Sequence, residues 1–169
     1  MQYLARKIRR ALWDETLQVD PEDVAADAVT NDLRTSSQTL SVWECGTKDE
    51  LTEIALVLAC GMKGSGPVGL VLLDADVLKS AGIPMVRTPA DTPLASLNDR
   101  HVDLAELTLA RLVAIARRIA EKVRSDTDCW EFRKQEVRDI VAKAVQEDRL
   151  SVQQLKKEWQ DQIRDSGLA

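Results

Sequence analysis

The only histidine of the chain, His101, stands between Asp99 and Asp103 in the run Ser96-Leu97-Asn98-Asp99-Arg100-His101-Val102-Asp103-Leu104. Imidazole titrates near neutral pH and binds metals as a neutral ring, so a histidine beside carboxylates can serve as a general acid/base or as part of a metal site. The competing reading is a polar helix start. Ser96 and Asp99 have capping-box spacing, and an aspartate at 103 is favoured by the dipole of a helix opening there. On such a helix Asp99 and Asp103 share a face while His101 falls on another, so the three do not converge from one helix. A zinc or non-haem iron site needs about three protein ligands, which this segment does not supply together, and neither a metal nor a cofactor is expected.

Other residues could carry chemistry only in company. Asp74 and Asp76 follow an apolar run, at the strand end where open sheets place ligands, and could hold magnesium with a phosphate-bearing ligand; equally, they are a strand end and a helix N-cap. Gly61-Met62-Lys63-Gly64-Ser65-Gly66 has the glycines of a phosphate loop in the wrong order, after a helix and before a strand. Cys45 or Cys60 could pair with His101 as nucleophile and base, but both lie in apolar or strand contexts that suit an inert thiol. Ser36, Ser37 and Ser41 lack the Gly-x-Ser-x-Gly elbow that exposes a nucleophile. An enzyme, of a small hydrolase or transferase type, would therefore need His101 and Asp99 to meet Asp74 and Asp76 from separate segments.

The composition sets the class. The 169 residues are 44% hydrophobic and 30% charged, enough for one globular domain without staples. The cysteines, Cys45, Cys60 and Cys129, are far apart and odd in number, which fits a reducing compartment. A start with Arg6, Lys7, Arg9 and Arg10 is unlike a signal peptide, and no stretch has a membrane span's length of apolar residues, so the chain is expected in the cytoplasm. Aromatic residues are 4%, poor material for stacking bases, so nucleic acid is not an expected partner. Residues 1–110 carry 10 basic against 17 acidic side chains and residues 111–169 carry 13 against 11, a division that allows contact between halves or with a partner. The cations Arg111, Arg117, Arg118, Lys122 and Arg124 are the main basic group, and Arg111, Arg118 and Lys122 would share a helical stripe.

The elements that must position these residues can be read from periodicity. Residues 2–13 fit a strand or a short helix. Asp20-Pro21-Glu22-Asp23 opens a helix expected over 21–33. Residues 39–45 alternate as a strand, Thr47 and Glu50 form a capping box for a helix over 48–60, and 67–74 read as a strand buried on both faces. A short helix over 76–81 closed by Gly82 leads to an edge strand over 83–87, where Pro84 is tolerable. Two Thr-Pro pairs mark 88–98 as a loop, after which Val102, Ala105, Leu109, Leu112, Ala116, Ile119 and Val123 predict a long central helix. Beyond the polar break at 125–128, Trp130, Val137, Val141, Ala144 and Val145 define one helical face. A Ser151/Gln154 capping box opens another, with Val152, Leu155, Trp159 and Ile163 as its apolar stripe.

These elements predict a helix-rich α+β (mixed α/β) fold: a small mixed sheet packed with helices over residues 1–125, and a C-terminal helical hairpin over 126–169 that either docks on the core or projects from it. With no catalytic constellation on any one segment, the function expected is a non-catalytic accessory or regulatory subunit working by protein contact in a larger bacterial-type complex, with another subunit or a second copy as partner and no membrane. Trp130, Trp159, Leu155, Ile163 and Arg118 are the candidate interface residues, because tryptophans on an unpartnered stripe are strong anchors. A defence or toxin-control operon is one such setting, with no residue pointing to it. The alternative is the small enzyme with a site near His101 and the Asp74/Asp76 pair.

Overall fold

A computed structural model describes residues 2–20, 22–47 and 50–165. The fold is α+β, built on an open six-stranded sheet. Its strands are β1 (Tyr3–Ile8), β2 (Leu40–Cys45), β3 (Val68–Asp74), β4 (Met85–Arg87), β5 (His101–Leu104) and β6 (Cys129–Phe132), in the spatial order β4-β5-β2-β1-β3-β6. Every pairing is antiparallel. The N-terminal segment is strand and helix in succession, β1 followed by α1 (Arg10–Asp14).

Helices cover both faces. On one lie α3 (Leu51–Gly61), α7 (Lys134–Gln146) and α8 (Lys157–Asp165), packed on Ala5, Trp43, Cys45, Leu70 and Leu72. On the other lie α1, α2 (Ala26–Asp32), α4 (Ala75–Ser80) and α6 (Leu109–Arg124), packed on Leu4, Ile8, Val42, Val71 and Leu73. Odd and even residues of β3 therefore enter different cores, which is why its sequence is an unbroken apolar run. Gly69 lets β3 close on its neighbour, since a Cβ there would stand 2.5 Å from the Ile8 carbonyl oxygen.

The long helix expected from the mouth of Asp99 begins later. Residues 101–104 are β5, paired on both sides with β2 and β4. The chain then turns through Glu106 at φ 51°, and α6 starts after Thr108, whose Oγ1 accepts the Arg111 N–H at 3.3 Å. Ser96 and Asp99 accordingly cap no long helix: they belong to the single-turn helix α5 (Ala95–Asn98), with Asp99 at its C-terminal end. Val102 and Leu104 happen to satisfy a helical spacing and a strand alternation at once, and the two-sided pairing decides between them.

The helix expected over 21–33 is shorter. Pro21 lies outside the described residues, and α2 starts at Ala26. Arg124 Nη2 donates to the carbonyls of Asp20 and Asp23, at 3.0 and 2.6 Å, and so takes acceptors that a helix starting there would use itself. Lys48 and Asp49 also lie outside the described residues. Glu50 reaches back, but to the Gly46 amide at 2.8 Å rather than to that of Thr47. The Ser151/Gln154 box is absent: residues Val152–Gln154 make one 3-10 turn, Ser151 donates to Gln153, and α8 opens only at Lys157.

The tail opens with a strand. Trp130, expected on a helix, sits in β6 opposite Leu70, so the sheet runs across the polar break at 125–128. Asp126 and Asp128, at φ 51° and 52°, turn the chain from α6 into that strand. The two tail helices then pack on the same core as α3.

Candidate functional site

β3 ends at Asp74, whose Oδ1 accepts the N–H groups of Asp76 and Val77 at 2.8 and 3.2 Å and so caps α4. Ala75 and Leu78 turn into the core, while Asp76 and Val77 face out. Gly82, at φ +69°, ends the turn, and Ile83 returns beneath it. α6 runs alongside. Its core stripe is Ile115, Ala116, Ile119, Ala120 and Val123; the adjoining stripe, Ala110, Val113, Ala114, Arg117, Arg118 and Glu121, recurs at three and four and faces α4.

Between the helices lies a groove of three adjoining lobes of about 350, 350 and 590 Å³. Val77 lines all of them. Asp74, Asp76 and Arg118 together line the largest, so the strand-end aspartate pair meets a cation distant from it in the sequence. Val77 and Val113, 38 and 39% exposed, line the groove, and Leu109, 77% exposed, lies one turn before Val113 on α6. Arg118 pairs with Glu121 at 2.8 Å and Lys79 with Asp76 at 3.9 Å, each pair on one wall. Arg117 has no ion pair or hydrogen bond among the described residues.

His101 is not part of this groove. It lies in one row with Trp43, Ala5 and Leu72 across β5, β2, β1 and β3, which sets it about 14 Å from β3 at ordinary strand spacing. It also lies on the α3 side of the sheet, opposite the groove. Its Nδ1 is 2.6 Å from the Thr88 carbonyl oxygen, to which it donates, and the Trp43 ring meets it edge-on at 5.2 Å. Because the segment is a strand, His101 and Asp103 share a face, and Thr88 bridges them: its hydroxyl donates to Asp103 Oδ2 at 2.8 Å and lies 3.1 Å from Nδ1. Ser41 Oγ donates to the other Asp103 oxygen at 3.3 Å. The network ties β2, β5 and the strand exit of β4 together. Asp99 contributes its carbonyl, which accepts from Arg87 Nη1 at 3.0 Å. The structure thus brings neither His101 nor Asp99 to Asp74 and Asp76.

The glycine loop serves α8. The Ser65 amide donates to Gln162 Oε1 at 3.0 Å, and Arg138 Nε donates to Ser65 Oγ at 3.0 Å. A Cβ on Gly64 would stand 2.9 Å from Gln162 Nε2. The thiols are disfavoured as nucleophiles: burial pushes Cys60 up to about 11 and raises Cys45 and Cys129, with the charge of Glu50 adding to the effect at Cys45. Among the described residues no group of three His, Cys, Asp or Glu side chains could hold a metal, and no helix is long and apolar enough to cross a membrane.

Of the interface candidates, Trp159, Leu155 and Ile163 are 1, 3 and 4% exposed within the chain's own core, so they present no free surface. Trp130 is half-buried against that core. Only Arg118 lies on the groove. Val77 and Val113 were not legible as site residues, although Leu109, Val113 and Arg117 at four-residue intervals form a stripe distinct from the buried one. No family model, curated protein or solved structure matches the chain.

Proposed function

We propose that this chain is a non-catalytic accessory or regulatory subunit that acts by protein contact within a larger complex, through the α4–α6 groove. The observation that carries this reading is the exposure of Val77 and Val113 on one charged groove, with Leu109 exposed one turn before Val113 on α6. Exposed apolar side chains scattered singly are ordinary, whereas a cluster rimmed by charge marks an interaction surface. The groove runs along α6 from Ala110 to Ser125 and is open to solvent. A small ligand is usually enclosed over most of its surface, so this shape suits a protein segment better. Arg118 stands at the rim, where charge sets orientation and choice of partner.

A photoreactive residue in place of Leu109, tested in the source cells, is expected to give protein adducts well above those from the same residue at Leu17, which is also exposed, at 53%. Val113→Asp in the same chain is expected to remove them, because it places a charge on the apolar contact. Adducts no more abundant from position 109 than from position 17 would sink the reading.

A further inference from the structure

The groove has unlike walls. The α4 wall carries Asp74 and Asp76 beside Val77, with Lys79 paired to Asp76; the α6 wall carries Arg117, Arg118 and Glu121 beside Val113, so the first is net acidic and the second net basic. Asp74, Asp76 and Arg118 line one lobe together from opposite walls, and Val77 and Val113 do the same in the adjoining one. We propose that the occupant of this groove is a second copy of the chain, docked groove to groove about a twofold axis running along it. The inference rests on the reading of the groove as a protein-contact surface and names its partner.

A twofold interface requires one patch to complement itself. An axis along the groove preserves height and exchanges walls, so Arg118 of each copy comes opposite Asp74 and Asp76 of the other, and Val113 opposite Val77. An axis across the groove instead lays the net acidic wall on its own copy and the net basic wall on its own copy, which like charges oppose. Electrostatics therefore select a single pairing. The ion pairs within each wall do not resist it: Asp76 and Arg118 are 73 and 52% exposed in their pairs with Lys79 and Glu121, where such pairs contribute little. α6, of 16 residues, is about 24 Å long, and two helix widths give a footprint of about 500 Å² per copy. That is below the roughly 800 Å² of standard interfaces, so the dimer is reversible, with a dissociation constant in about the micromolar range or weaker.

Sedimentation equilibrium of the full chain up to about 1 mM is expected to show a monomer–dimer equilibrium that weakens with salt. Asp76→Arg alone and Arg118→Glu alone are each expected to weaken it at least tenfold, with circular dichroism unchanged because both side chains are exposed. The decisive arm mixes these two variants. Across the proposed axis the introduced cation of one chain meets the introduced anion of the other, while the unaltered Arg118 of the first meets the unaltered Asp76 of the second. Two chains that do not self-associate should therefore pair with each other. A wild-type chain monomeric at about 1 mM, or a mixture that associates no better than its components, overturns the second copy as occupant. If a monomeric wild type still gives groove-dependent adducts with another protein, the contact function stands without the dimer; if it gives none, both fall.

Discussion

Trp159→Ala is expected to lower the free energy of unfolding by about 3 to 5 kcal/mol. The indole is 1% exposed, and its Nε1 donates to the Ala59 carbonyl near the end of α3 at 3.0 Å. Truncation opens a cavity among the side chains of α3, α7 and α8 and removes a donor from a carbonyl at a helix end. It also releases α8, whose nine residues are too few to hold a helix without tertiary contacts. Urea unfolding followed by circular dichroism measures the change. A loss below about 1 kcal/mol would mean that the indole does not anchor α8.

Asp32→Ala should cost as much, for a different reason. Asp32 is 8% exposed; its carboxylate accepts the backbone N–H of Arg9 at 2.6 Å, Arg9 Nε at 3.1 Å and the indole N–H of buried Trp13 at 2.9 Å. Nearby, Arg6 is also largely buried, donating to the Asp32 and Ser41 carbonyls, with its Nε unpartnered. Burial holds its guanidinium below the ordinary arginine range, and the Asp32 charge opposes that shift. Removing the carboxylate strands one donor in the core and leaves the Arg6 charge uncompensated, a loss of about 3 to 5 kcal/mol. Asp32→Asn, which keeps the shape but not the charge, should fall between Ala and wild type in thermal and urea unfolding. An Ala variant as stable as the parent would remove the electrostatic argument.

What could be read from the residues depended on how many partners an element needs. β3 and α4 were legible because their cues are local: an apolar run, an aspartate cap, a glycine stop. Residues 101–108 were not, since four residues of strand alternation lie inside a longer helical series and only pairing with β2 and β4 separates them. Trp130 fits a helical face by spacing for the same reason, and its pairing with Leu70 is what makes it a strand residue. The site was legible in pieces. Asp74 and Asp76 drew notice as a strand-end pair and Arg118 as a cation on a stripe, but an antiparallel sheet with α4 and α6 on one face is needed to bring them together. The tail tryptophan could have faced either way, and the carbonyl of Ala59 decides it.

The passage of the sheet across residues 125–128 bears on how the chain stays apart from others. β1, first in sequence, sits inside the sheet with β2 and β3 on either side, and β6 is laid on the outer edge of β3. Without β6, the amides and carbonyls of residues 68–71 that it pairs would face solvent on a strand that is apolar on both sides, the kind of edge that recruits strands from neighbouring molecules. Residues Cys129–Phe132 thus work as an edge guard. A chain ended at the polar break would bare this edge together with the core under α7 and α8, and is expected to aggregate.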